Sequence, residues 1–120
     1  MYCPNILCPL ALRLDVPNKN YEVYYKYYPS DLYGLISTHK KSLPEIAIKT
    51  LLFSILNALE HMHSNRFLHR DIKSSNILIS DKEIVLSDFG MACQFSVPPL
   101  GMNSIVGTPN YRAPELVEYN

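Results

Sequence analysis

His69-Arg70-Asp71-Ile72-Lys73-Ser74-Ser75-Asn76 is the stretch on which the reading of this chain turns. Asp88-Phe89-Gly90 stands 17 positions after Asp71, and Ala113-Pro114-Glu115 closes the same region. Each motif alone is weak, because a single Asp or Lys in a loop is usually just solvated and Asp-Phe-Gly is ordinary turn chemistry. Their order is specific, with a helical pattern before the first motif and a hairpin pattern between the first and second.

Upstream of His69, Ile48, Leu51, Leu52, Ile55, Leu59 and Met62 recur at helical spacing through roughly twenty residues. Ser42, with Glu45 three residues later, predicts a capping box, and Pro44 falls in the first turn, where its missing N–H costs nothing. Ser30 or Asp31 is the expected cap of a shorter helix ending near Thr38. Downstream of Asn76, Ile77-Leu78-Ile79 and Ile84-Val85-Leu86 predict a small hairpin around Ser80-Asp81-Lys82. Between Gly90 and Ala113 periodicity disappears. Pro98, Pro99, Gly101, Gly107 and Pro109 there predict a long loop, and such loops are usually functional.

The N-terminal end reads differently. From Cys3 to Asp15 an apolar pattern is broken by Pro4 and Pro9, which predicts a strand held to an edge or a bulge. Pro17-Asn18-Lys19-Asn20 is turn chemistry. Tyr21 to Tyr28 carries five tyrosines and Val23, which predicts a second strand whose rings pack half-buried rather than stack on a ligand.

Composition bounds the rest. With 120 residues the chain is one domain at most, and 48% hydrophobic with 18% charged residues excludes a disordered chain. Eleven basic residues balance eleven acidic ones, so there is no electrostatic footprint for nucleic acid. Cys3, Cys8 and Cys93 are odd in number and fit no metal spacing, so free thiols in a reducing compartment are expected. No apolar run approaches a membrane span, and Pro4 and Pro9 interrupt the one stretch resembling a signal sequence. An intracellular protein is the expectation.

The three motifs resemble the catalytic loop, metal-binding turn and activation-segment end of a eukaryotic-type serine/threonine protein kinase domain. The resemblance runs from Pro4-Asn5-Ile6 to Glu115 and implies an α+β fold that is part of a protein-kinase-like domain. Residues 1–28 would be the last small-lobe strands and the hinge. Residues 29–120 would run from the start of a helical large lobe, with its catalytic hairpin, through the activation segment. The implied reaction moves the γ-phosphate of ATP to a protein Ser or Thr hydroxyl, with Mg2+.

The same resemblance assigns roles. Asp71 would accept or orient the hydroxyl proton, and Lys73 would reach the transferring phosphate. Asn76 and Asp88 would supply the oxygen ligands that magnesium prefers. Arg70 would receive a phosphate from the activation loop, for which Ser104 is the candidate acceptor. Thr108 would bond both Asp71 and Lys73, Glu115 of the activation segment would be left unpaired for want of its partner arginine in these 120 residues, and His69 would pack against Phe89. Around adenine, Leu78 would form an apolar floor, Tyr25 would guard the back, and the backbone from Lys26 to Tyr28 would pair with the base.

Lys73 and Gly107-Thr108-Pro109 resemble the serine/threonine type, and Tyr111-Arg112-Ala113-Pro114-Glu115 with Asp31-Leu32 resembles the cyclin-dependent branch. Ser74, where proline is usual, Cys93 and Gly107 depart from that branch. A Gly-rich phosphate loop, a strand lysine and its partner glutamate have no counterpart in these 120 residues. The chain by itself is therefore expected to be poorly stable and at best weakly active. Implied partners are a protein substrate and an activating protein, with neither nucleic acid nor membrane. The competing reading is a truncated, non-catalytic kinase-like fragment that serves as a binding module.

Overall fold

Helix α2 (Glu45–Ser64) is the central element of the computed structural model, which describes residues 2–38, 42–96 and 105–117. Its inward face buries Leu51, Ser54, Ala58 and Met62. Ala58 and Met62 close on Ile77 and Leu86 to form the core, and Ile55, Leu59, Ile72 and Phe89 pack around them. The core is small. Its four buried apolar side chains adjoin the His69–Asn76 stretch through Ile72, which packs on them, and Ile77, which follows Asn76.

The start of α2 differs from expectation. Pro44 occupies the cap position, no side chain caps it, and Glu45 instead pairs with Lys49 one turn on at 2.6 Å. An i,i+4 Glu–Lys pair with glutamate on the N-terminal side is favourable on an exposed helix face, and it takes the carboxylate that a capping box would need. At the other end, Asn65 N–H and Arg66 N–H close back on His61, Met62 and His63 carbonyls, and Arg66 turns left-handed at φ 62°. That reversal ends the helix and aims the chain into β4 (Phe67–Leu68), the lead-in to His69.

A three-stranded antiparallel sheet carries the rest of the scaffold, in the order β3 (Ser30–Asp31), β5 (Ile77–Ile79), β6 (Ile84–Leu86). The β5–β6 turn is tied by Ser80, whose N–H donates to the Glu83 carbonyl at 2.9 Å and whose hydroxyl accepts from Glu83 N–H. Asp31 caps α1 (Leu32–Thr38) by accepting from Gly34 N–H at 2.7 Å. β7 (Cys93–Gln94) pairs with β4, so the chain leaving Phe89 is stitched beside the chain entering His69. Helices and small antiparallel sheets alternate in an α+β arrangement, completed by the short α3 (Pro114–Val117).

The N-terminal stretch splits where one strand was expected. Residues 3–7 lie along β6, with Leu86 N–H donating to the Asn5 carbonyl and Leu7 N–H to the Leu86 carbonyl. The strand itself, β1 (Pro9–Asp15), begins at the second proline and carries a register irregularity there, the bulge that proline favours. β1 pairs with β2 (Asn20–Tyr25), which ends three residues short of Tyr28. The expected half-burial of the tyrosines holds in part: Tyr24 and Tyr25 are 47 and 49% exposed and Tyr28 is partly buried, whereas Tyr21 and Tyr27 are 72 and 81% exposed.

Candidate active site

Two left-handed residues set the local geometry. Arg70 (φ 68°) and Asp88 (φ 61°) each reverse the backbone just where a motif begins, a conformation that costs a non-glycine residue energy and that persists where surrounding contacts enforce it. The enforcing contacts are visible around His69, which is 2% exposed. Its Nε2–H donates to the Ser87 carbonyl at 2.9 Å, and its Nδ1 accepts Asp71 N–H at 3.2 Å. The ring meets Phe89 edge-on at 5.2 Å between centroids. His69 thus ties the backbone of the Asp71 loop to that of the Asp88 turn, and both its ring nitrogens are spent on structure.

Asp71 is the hub. Its Oδ1 accepts Thr108 N–H at 2.9 Å and Thr108 Oγ1–H at 2.7 Å. Its Oδ2 takes Lys73 Nζ at 2.8 Å and a longer bond of 3.3 Å from Asn76 Nδ2. Lys73 also donates to Thr108 Oγ1 at 3.1 Å, so lysine, threonine and aspartate form a closed triangle. The Lys73 ammonium, then the Thr108 hydroxyl, hold the Asp71 carboxyl at about 2 against an ordinary 3.8, while partial burial pushes the other way.

The lone-pair count shows where a further group fits. A carboxylate oxygen has about two acceptor sites, and Oδ1 has both filled by short bonds. Oδ2 has one short bond and one long one, so it is the less firmly held oxygen, where an incoming hydroxyl has only the 3.3 Å bond from Asn76 to displace. A carboxyl held near 2 stays charged at neutral pH and is a poor proton abstractor, so a group in this state can accept and orient a hydroxyl more readily than deprotonate it.

Asn76 is 5% exposed and fixed from both sides. Its Nδ2 donates to the Asp71 carbonyl at 2.9 Å, and its own carbonyl accepts both Ser87 N–H and Ser87 Oγ–H at 2.9 Å. With the amide nitrogen turned to Asp71, Oδ1 is the atom available for a cation. Asp88 follows Ser87 directly, is exposed, and holds Gly90 N–H only loosely at 3.4 Å. Among the described residues no three His, Cys, Asp or Glu side chains gather as a metal cage. The donor set of one amide oxygen and one carboxylate fits a magnesium ion that brings phosphate and water for its remaining positions.

The activation-segment end rests on this loop. Gly107 has φ 88°, and a Cβ there would stand 2.4 Å from the Arg70 carbonyl oxygen, so only glycine permits the approach. Arg112 donates through Nε and Nη2 to the Gly107 carbonyl at 3.1 and 2.9 Å. Tyr111 hydroxyl lies 2.8 Å from Ser74 Oγ. Arg70 donates from Nε to the Met91 carbonyl at 2.6 Å. Glu115 is exposed in the first turn of α3 and makes no ion pair among the described residues, and Ser104 lies outside them.

The residues expected around adenine are placed separately. Lys26 Nζ and Tyr28 hydroxyl converge on Glu83 Oε2 at 2.7 and 2.8 Å, with Lys26 Nζ 5.8 Å from the Tyr28 ring centroid. Burial, then the Glu83 carboxylate, push the Tyr28 hydroxyl up to about 12. Tyr25 ends β2 half-exposed, and Leu78 is partly buried on β5 opposite Asp31 and Val85. None of the four bonds to the Asp71 cluster. Sequence reasoning missed the Glu83 anchor and the Ser74–Tyr111 contact, because neither pair is near in sequence.

The described helices include none long and apolar enough to cross a membrane. Comparison with known sequences matches residues 4–120 to the family described as protein kinase domain. The chain is 37% identical to "Probable cyclin-dependent kinase 8" of Dictyostelium discoideum, over 94% of this chain and 32% of that protein. It is 38% identical to a probable serine/threonine-protein kinase of the same organism, over 95% of this chain and 22% of that protein. With cyclin-dependent kinase E-1 of Arabidopsis thaliana the identity is 36%, over 94% and 26% respectively. The chain thus spans about a third or less of the length of these relatives. With a match that covers nearly every residue and relatives that agree with it, the chain belongs to the protein kinase domain family.

Proposed function

We propose that this chain carries the phosphoryl-transfer centre of a serine/threonine protein kinase, using ATP and Mg2+ and acting on a protein hydroxyl. The observation that carries the reading is the clasp on Asp71: one carboxylate oxygen saturated by two short bonds from Thr108, the other shared by Lys73 and, through a long bond, Asn76. In this reading Asp71 Oδ2 receives the acceptor hydroxyl and fixes its direction, which is most of what an in-line displacement asks of a protein. Lys73 has three donors and spends two on Asp71 and Thr108, leaving one for a phosphate oxygen. Asn76 Oδ1 and the Asp88 carboxylate hold the magnesium, which when bound neutralises phosphate charge.

Residues 1–28 are taken as the strand and hinge portion, and 29–120 as the portion bearing the chemistry. Adenine is assigned to the segment from Tyr25 to Tyr28 and to Leu78, with Lys26 and Tyr28 held from behind by Glu83. The names of the relatives support a cyclin-like activating partner and a Ser/Thr protein substrate. The test is phosphorylation of a Ser/Thr peptide by the full-length protein across a magnesium titration. Transfer is expected in the parent protein, with loss in Asp88→Asn that added magnesium partly restores. Equal transfer by parent and Asp88→Asn at limiting magnesium overturns the metal assignment, and no transfer by an activated parent overturns the reading.

A further inference from the structure

Thr108 reaches Asp71 and Lys73 only through hydrogen bonds, so something must hold the activation-segment end in register with the catalytic loop. Tyr111 N–H donates to the Thr108 carbonyl at 3.0 Å and closes a single 3-10 turn over Pro109–Tyr111. In such a turn positions three apart lie one above the other, so Thr108 and Tyr111 share a face. Lys73 and Ser74 are adjacent in the loop opposite. Thr108 meets the first of them at 3.1 Å, and the Tyr111 hydroxyl meets the second at 2.8 Å. The two contacts are rungs of one ladder, and only the Thr108 rung touches the reacting groups.

We propose that the Ser74–Tyr111 hydroxyl bridge is the strap that keeps Thr108 seated on Asp71 and Lys73, which makes Ser74 and Tyr111 positioning residues for the transfer. The bridge is suited to this. The Ser74 backbone is fixed in the 3-10 turn Ser74–Asn76, whose last residue is buried and bonded on three sides. The Tyr111 backbone is fixed by its own turn, and the next residue, Arg112, grips the Gly107 carbonyl, so both ends of the six-residue segment are tied to each other. A hydroxyl pair between two preset backbones loses little entropy on forming, and it adds a second hydrogen-bonded tie beside those of Thr108. The positioning role rests on the phosphoryl-transfer reading. The strap itself does not, so the two fail separately.

The experiment is amide hydrogen exchange of the full-length protein, read at Thr108, whose N–H donates to Asp71, and at Ala58 in α2 as a control for global stability. Tyr111→Phe and Ser74→Ala each remove one hydroxyl and little else. Each is expected to speed exchange at Thr108 by about 3- to 10-fold, the worth of one net hydrogen bond, with Ala58 unchanged. The double variant is expected to be no faster than either single one, and Ser74→Thr to restore slow exchange. In turnover, kcat for the peptide should fall in the same variants while KM for ATP holds. Unchanged exchange at Thr108 in both single variants overturns the strap, as do additive effects in the double variant. Faster exchange with unchanged kcat leaves a strap and removes its catalytic role.

Discussion

Among single residues, Asp71 matters most, both for why it is charged and for where it points. Its carboxyl is held at about 2 by Lys73 first and Thr108 second, below the ordinary 3.8. The folded value is the lower one. Ionised Asp71 therefore stabilises the fold above about pH 4, and that contribution is lost as pH falls through the interval toward 2. Following the Asp71 carboxyl by NMR through an acid titration should give a midpoint near 2. Lys73→Met should raise that midpoint more than Thr108→Val, which keeps the backbone N–H bond. A larger rise in Thr108→Val would put the threonine hydroxyl ahead of the lysine as the cause. Gly107→Ala offers a second check. With a left-handed backbone and an Arg70 carbonyl in the way, an added Cβ forces the segment off the loop. Peptide transfer should drop by at least about fivefold, since the left-handed penalty alone is about 1–2 kcal/mol. An Ala variant with parental kcat contradicts the close approach.

Among the helices and strands, those with their own periodicity were the legible ones. Helix α2 was read from Ile48 to Met62 and is found at Glu45–Ser64, and the hairpin of Ile77–Ile79 with Ile84–Leu86 lies where its β-branched runs placed it. Strands β3, β4 and β7 were not read, because two residues carry no period and their pairing is decided by distant partners. The capping box failed for a local reason, since Glu45 has Lys49 one turn ahead. Of the site, the resemblance carried by the three motifs named Asp71, Lys73, Asn76, Asp88 and Thr108, and hydrogen bonds join Asp71, Lys73, Asn76 and Thr108. What no sequence pattern contained is which oxygen of Asp71 is the less firmly held, a matter of three-dimensional hydrogen bonding. Leu86, 1% exposed in β6 against α2, tests the element packing. Leu86→Ala should cost about 2–5 kcal/mol, enough to unfold a core this small. A thermal melt within a degree or two of the parent contradicts that core assignment.

Across the molecule, the described residues divide between a packed half around Asp71 and an open ribbon. β1 and β2 leave Leu10, Leu12, Leu14, Tyr21 and Tyr25 exposed together, while a two-stranded ribbon is at best marginal in water. The 120-residue chain purified alone should therefore exchange its β1–β2 amides almost as fast as unfolded peptide and should aggregate on concentration, and Leu12→Lys should delay that aggregation. A monodisperse chain with protected β1–β2 amides contradicts this picture.

Whether Asp71 directs phosphoryl transfer is decided by following labelled γ-phosphate from ATP to a Ser/Thr peptide, with the full-length protein set against its Asp71→Asn variant. Incorporation is expected with the parent, and kcat should fall in the variant by a factor on the order of 10²–10⁴ with nucleotide binding retained. Equal rates in the two proteins would refute the role of Asp71.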